Sequence, residues 1–128
     1  MTRNIVTIGA VIGATALTTA LGPGQPSAPS AAEVALGDSV FHGRVGGALC
    51  YVCHGPAGKG VNGLGPNLTD KEWLNADGSL QSIEKVIQDG VPKPKKMPAP
   101  MPPKGGGQLN DSQIKAAAAY VWSLGRTK

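Results

Sequence analysis

Apolar residues recur at helical spacing in four stretches of the chain, and no stretch alternates convincingly with polar residues as a strand does. The first runs over about residues 37–49, with Val40, Phe41, Val45 and Leu49 as a stripe diluted by glycines. The second is short: Thr69 and Glu72 have capping-box spacing just ahead of Trp73 and Leu74. The third opens at Ser79 and puts Leu80, Ile83, Val86 and Ile87 on one face. Gly90 follows where a helix end favours a residue without Cβ. The fourth has Asn110 as N-cap and Gln113 three residues on, then the stripe Ile114, Ala117, Ala118, Val121 and Leu124, ended by Gly125. This pattern predicts an all-α fold of about four helices.

Two breaker-rich loops separate these stretches. Residues 55–67 hold five Gly and two Pro, and residues 91–108 hold six Pro, three Gly, four Lys and two Met. A connection as long as the second, without a helix of its own, is usually functional or disordered, and its prolines argue for stiffness.

The N-terminal pattern is different. Residues 5–21 form an uncharged run of 17, preceded by Arg3 and followed by the Gly/Pro-rich residues 22–29. Ser30-Ala31-Ala32 then places small residues where a signal peptidase reads them. The reading is a signal peptide over residues 1–32, cut near Ala32, ahead of one domain at residues 33–128. The alternative is an uncut membrane anchor, for which 17 residues with four Thr and two Gly is short. Export to the periplasm or an equivalent compartment is implied. There is no twin Arg, and no Cys near the cut that would carry a lipid.

A domain of the remaining 96 residues buries a limited core and usually needs a staple. Gly and Pro make up 30 of the 128 residues, and the aromatics are only Phe41, Tyr51, Trp73, Tyr120 and Trp122. A large buried apolar cofactor would supply the missing mass. The mature part carries 11 Lys and Arg against 8 Asp and Glu. That mild excess, without interleaved aromatics, gives no case for nucleic acid.

The chemistry lies in Cys50-Tyr51-Val52-Cys53-His54, the attachment pattern for a c-type haem. Two thiols three residues apart on one helical turn reach the two vinyl groups of the porphyrin. The adjacent His54 is then carried under the iron. A redox disulfide is the competing reading, but it calls for a βαβ context that the pattern lacks. Zinc would need more ligands than His42 adds, and a structural disulfide across two residues is strained. Octahedral iron takes a sixth ligand or leaves an open position. Met97 and Met101 are candidates, since Met opposite His gives an electron-transfer haem of raised potential. Spacing alone does not separate them. Either Met can also be hydrophobic filler. His42 is a remote candidate, placed facing solvent.

From Gly37 to its end the chain resembles the class I, monohaem c-type cytochromes of bacteria. The resemblance rests on Cys50-Tyr51-Val52-Cys53-His54-Gly55, Gly58-Lys59-Gly60, Gly65-Pro66-Asn67-Leu68, Met101-Pro102-Pro103-Lys104-Gly105-Gly106 and the closing residues 119–124. It implies a small cytochrome c fold around one covalent haem (heme c) with iron, and single-electron transfer rather than catalysis. It also implies that the Pro66 carbonyl accepts a hydrogen bond from His54, that Met101 rather than Met97 is the sixth ligand, and that Gly37 and Phe41 pack on Tyr120. Phe41 departs from the pattern, standing nine residues before Cys50 where about four is usual.

The expected haem pocket comprises Phe41, Val45, Leu49, Leu68, Trp73, Ile83, Ile87, Ile114, Val121 and Trp122. Lys93, Lys95, Lys96 and Lys104 flank the Met loop and would steer the domain to an acidic face on an oxidase or dehydrogenase. A solvated loop kept soluble by charge is the plainer reading of the same lysines. Two other functions compete: a haem enzyme or gas sensor with an open sixth site, and a thiol–disulfide oxidoreductase.

Overall fold

A computed structural model describes residues 27–126. The signal-peptide reading falls almost entirely outside them. Among the described residues there are four α-helices: α1 Ala31–Phe41, α2 Cys50–His54, α3 Leu80–Asp89 and α4 Asp111–Leu124. A 3₁₀ turn at Pro103–Gly106 precedes α4, and extended pairing is limited to two isolated bridges, Val61 with Gly65 and Val91 with Met101.

The first helix lies earlier than its stripe suggests. Ser30 and Glu33 form a reciprocal capping box that starts α1 at Ala31. The helix ends at Phe41, and the next residues turn through Gly43, Gly46 and Gly47, all at positive φ. Val45 and Leu49, assigned to the same helix from their spacing, therefore lie beyond it. That turn absorbs the extra residues between Phe41 and Cys50.

The short helix expected at residues 69–74 does not form. Asn67 Oδ1 accepts from both the N–H and the hydroxyl of Thr69, at 2.8 Å each. Asp70 Oδ1 accepts from the N–H of Glu72 at 3.0 Å. These local side-chain turns occupy the groups a capping box would use. The fourth helix is instead α2, which carries the Cys-x-x-Cys-His motif.

α3 and α4 match their stripes and caps. Ser79 accepts from the N–H of Ser82 at 3.2 Å, and Gly90 ends α3 at φ 69°. Asn110 and Gln113 form the second capping box, and Gly125 closes α4.

α1 and α3 both pack on α4. The α1–α4 crossing is close because Gly37 faces the backbone of Ala116: a Cβ there would sit 1.9 Å from the Ala116 carbonyl oxygen. One turn on, the Phe41 and Tyr120 rings meet at 5.2 Å between centroids, as the resemblance implies. Alanines dominate the buried side of α4, with Ala116 to Ala119 all buried. Small side chains let the helices approach. They also leave apolar room between α3, α2 and the two long loops, which no side chain fills.

Candidate functional site

α2 is too short to persist by itself and has no side-chain N-cap. Its neighbours hold it. The Leu49 N–H donates to the Gly105 carbonyl at 3.0 Å, which anchors its start to the 3₁₀ turn. At its end Gly55 takes φ 76°, and the Gly60 N–H donates to the His54 carbonyl at 2.7 Å. The loop after it folds back on the helix: a Cβ on Gly65 would lie 2.6 Å from the Cys53 carbonyl oxygen. That close approach brings the Pro66 carbonyl oxygen to 3.0 Å from Nδ1 of His54.

The contact decides what the imidazole can do. A carbonyl oxygen only accepts, so Nδ1 carries the hydrogen and Nε2 keeps its lone pair for a metal. His54 is buried, and that burial, more than the opposing effect of the Pro66 bond, favours its neutral form. Neutral imidazole is the ligating form.

Cys50, Cys53 and His54 border one apolar cavity of about 310 Å³. Phe41, Leu49, Leu68, Trp73, Ile83, Ile87 and Val121 line it as expected. Val45, Ile114 and Trp122 do not. Ile114 is buried in the helix core, and the Arg126 guanidinium lies 3.8 Å from the centroid of the Trp122 ring. Sequence reasoning passed over Leu64, Val91 and Ala117, which also face the cavity. A stripe marks the buried side of a helix but does not say whether that side meets protein or a cavity.

Met97 and Met101 both line the cavity, but their backbones are held differently. Met101 exchanges two hydrogen bonds with Val91, at 2.8 and 3.0 Å, which closes residues 92–100 into a loop. Met101 also packs against the core cluster. Met97 lies within the closed loop and has no such bridge. Its neighbour Lys96 pairs with Glu72, which ties the Met loop to the loop around Trp73.

His42 is not the free surface residue expected from the sequence. Its two ring nitrogens lie 2.9 Å from the Asp38 carbonyl oxygen and 2.8 Å from that of Pro56.

Burial pushes the Cys50 thiol up from its ordinary value, and the nearby Cys53 adds to this. A thiol held protonated is a poor redox nucleophile, which counts against the disulfide-exchange reading. Two cysteines a helical turn apart, a neutral histidine with one nitrogen free for metal, and an apolar cavity with thioethers in its wall fit a c-type haem. The donor set matches, and the cavity wall is what a porphyrin face needs.

The arrangement defines a small covalent haem protein. The cytochrome c family model matches residues 34–125, and the chain belongs to that family. Its cofactor is haem c with iron, and its class transfers electrons. The chain is 42% identical over 97 residues to the Cbb3-type cytochrome c oxidase subunit FixP of Bradyrhizobium diazoefficiens, covering 75% of this chain and 29% of that protein. It is 40% identical over 86 residues to the Cbb3-type cytochrome c oxidase subunit CcoP of Rubrivivax gelatinosus, covering 66% and 26%. The chain thus spans less than a third of the length of these relatives. Among solved structures, cytochrome cL from Methylophaga aminisulfidivorans shares the fold at a TM-score of 0.55 and 22% identity, covering 73% of this chain and 53% of that one.

Proposed function

We propose that this domain is a monohaem electron carrier, not an enzyme. Its haem is linked through thioethers at Cys50 and Cys53, and its iron is ligated by His54 and Met101. The observation that carries the reading is the 3.0 Å contact between His54 Nδ1 and the Pro66 carbonyl, beside a cavity that Met101 also lines. When bound, the haem supplies a one-electron couple between ferrous and ferric iron. The chain's own residues hold that couple still. Pro66 fixes the His54 tautomer, the Val91 bridge holds Met101, and Phe41, Leu68, Trp73 and Ile83 keep water from the ring. Little then rearranges when an electron passes.

Purified haem-loaded protein is expected to be red, with a Met–iron charge-transfer band in the ferric state and no carbon monoxide binding in the ferrous state. Met101→Ala abolishes the band and opens the iron to carbon monoxide, whereas Met97→Ala keeps it. The reverse result would move the ligand to Met97. A colourless product from a host with haem-attachment machinery would end the reading altogether.

The partners we propose are an oxidase, as in the names of the relatives, or a dehydrogenase, each presenting an acidic face. Lys93 and Lys95 are exposed beside the Met loop, and Lys104 sits in the turn after it. Lys96 contributes less than its position suggests, because Glu72 already offsets its charge. Steering of this kind predicts an electron-transfer rate that falls steeply as salt rises. A rate flat with ionic strength removes the acidic partner.

The domain is proposed to work in the periplasm or an equivalent exported compartment. The mass of the exported protein separates cleavage near Ala32 from a retained N-terminal anchor. Only a chain that keeps Ser30 keeps the cap of α1.

A further inference from the structure

His42 stands at the C-cap of α1, outside the Cys-x-x-Cys-His motif, and its ring has an oxygen at each nitrogen. Nδ1 lies 2.9 Å from the carbonyl oxygen of Asp38 and 3.0 Å from its carboxylate, and Nε2 lies 2.8 Å from the carbonyl oxygen of Pro56. Pro56 is two residues past His54, just after the Gly55 that ends α2. The His42 side chain is 20% exposed and sits among Phe41, Tyr51 and Tyr120, with ring centroids 5.2, 6.1 and 6.1 Å away. Phe41 in turn meets the His54 ring at 6.5 Å. A neutral imidazole has one N–H and one lone pair, so it can donate to only one of these carbonyls. A ring with hydrogen on both nitrogens donates to both.

We propose that His42 is a positioning residue for the turn that carries His54: its ring ties the Pro56 carbonyl to α1, and through that tie it sets part of the haem potential. The proposal rests on the ligation of haem by His54. The groups facing the ring are Asp38 of α1, Tyr51 of α2 and Tyr120 of α4, with Arg44 of the following turn paired to Asp38. Removing the ring leaves the Pro56 carbonyl without its partner on α1 and frees the turn that carries His54. His54 is then held less firmly, and the potential of the haem it ligates shifts.

The test is the midpoint potential of the haem-loaded protein, read with the proton spectrum of the His42 ring N–H. The wild type is expected to show a slowly exchanging ring N–H signal, protected by its carbonyl partner. His42→Gln keeps one donor toward Pro56, so the potential stays near the wild-type value and the Met–iron band is retained. His42→Ala frees the Pro56 carbonyl, and the potential shifts. A potential unchanged in His42→Ala, or a wild-type ring N–H that exchanges freely with solvent, overturns the proposal. These outcomes are read in a red, low-spin protein. Failure of the haem reading itself would show earlier, as a wild type without that spectrum.

Discussion

At the scale of single residues, the fold depends on places where nothing larger fits. Gly37 is the sharpest. A methyl group there meets the Ala116 carbonyl at 1.9 Å and the Tyr120 Cβ at 2.7 Å, both on α4. Backbone cannot step aside as a flexible side chain can, so α1 must lift away from α4. Gly37→Ala is expected to lower stability by about 3 kcal/mol, at or above the upper end for overpacked cores. Urea denaturation of the haem-loaded protein measures it, and a change under about 0.5 kcal/mol would mean the crossing is looser than described. The same closeness was available to sequence only through the family resemblance, which pairs Gly37 and Phe41 with Tyr120. What was not legible was that the residues between Phe41 and Cys50 leave the helix and loop out, so the spacing departs while the contact stays.

At the scale of elements, capping chemistry decides where helices run. Asp77 shows it at the start of α3: its carboxylate accepts from the Ser79 N–H at 2.8 Å and the Ser82 hydroxyl at 2.5 Å. These bonds, Ser79 first, hold the Asp77 carboxyl down at about 2. A carboxyl lowered on folding stabilises the native state when ionised. Its contribution is complete above the ordinary aspartate value of about 3.9 and is lost as pH falls toward 2. Asp77→Asn should therefore flatten the acid limb of stability between those values and leave the neutral range little changed. Acid titration followed by far-UV dichroism checks this, and an unaltered acid limb would place the sensitive groups elsewhere. Residues 69–74 teach the opposite lesson. Thr69 and Glu72 have the spacing of a cap, but Asn67 and Asp70 lie close enough in sequence to take the same hydrogen bonds. Local competition of this kind is invisible to a pattern that counts only Thr and Glu.

At the scale of the whole molecule, residues of all four helices and of the long loops enclose a cavity that their own side chains do not fill. At about 24 cal/mol per Å³, a closed apolar cavity of 310 Å³ would cost about 7 kcal/mol, comparable with the whole stability of a small domain. The cavity is open on one side, so that figure is an upper bound. A chain with Cys50→Ser and Cys53→Ser, unable to attach haem, is expected to keep much of its helix signal but lose its cooperative thermal transition. A sharp transition within about 5 °C of the haem-loaded protein would show that the helices hold without the cofactor.

The Cys-x-x-Cys-His motif, the stripes and caps of α3 and α4, and the all-helical class were determined by sequence alone, because each depends on residues within one or two helical turns of each other. Tertiary structure decided the rest. The His54–Pro66 bond was available to sequence only through family resemblance, since it joins residues twelve apart through a loop pressed against α2. Which methionine is pinned depends on the Val91 bridge, and the Pro56 partner of His42 and the Glu72 partner of Lys96 lie 14 and 24 residues away. Short-range hydrogen-bonding and periodicity leave a trace in the order of residues. A distance closed by folding loops across a cavity leaves none.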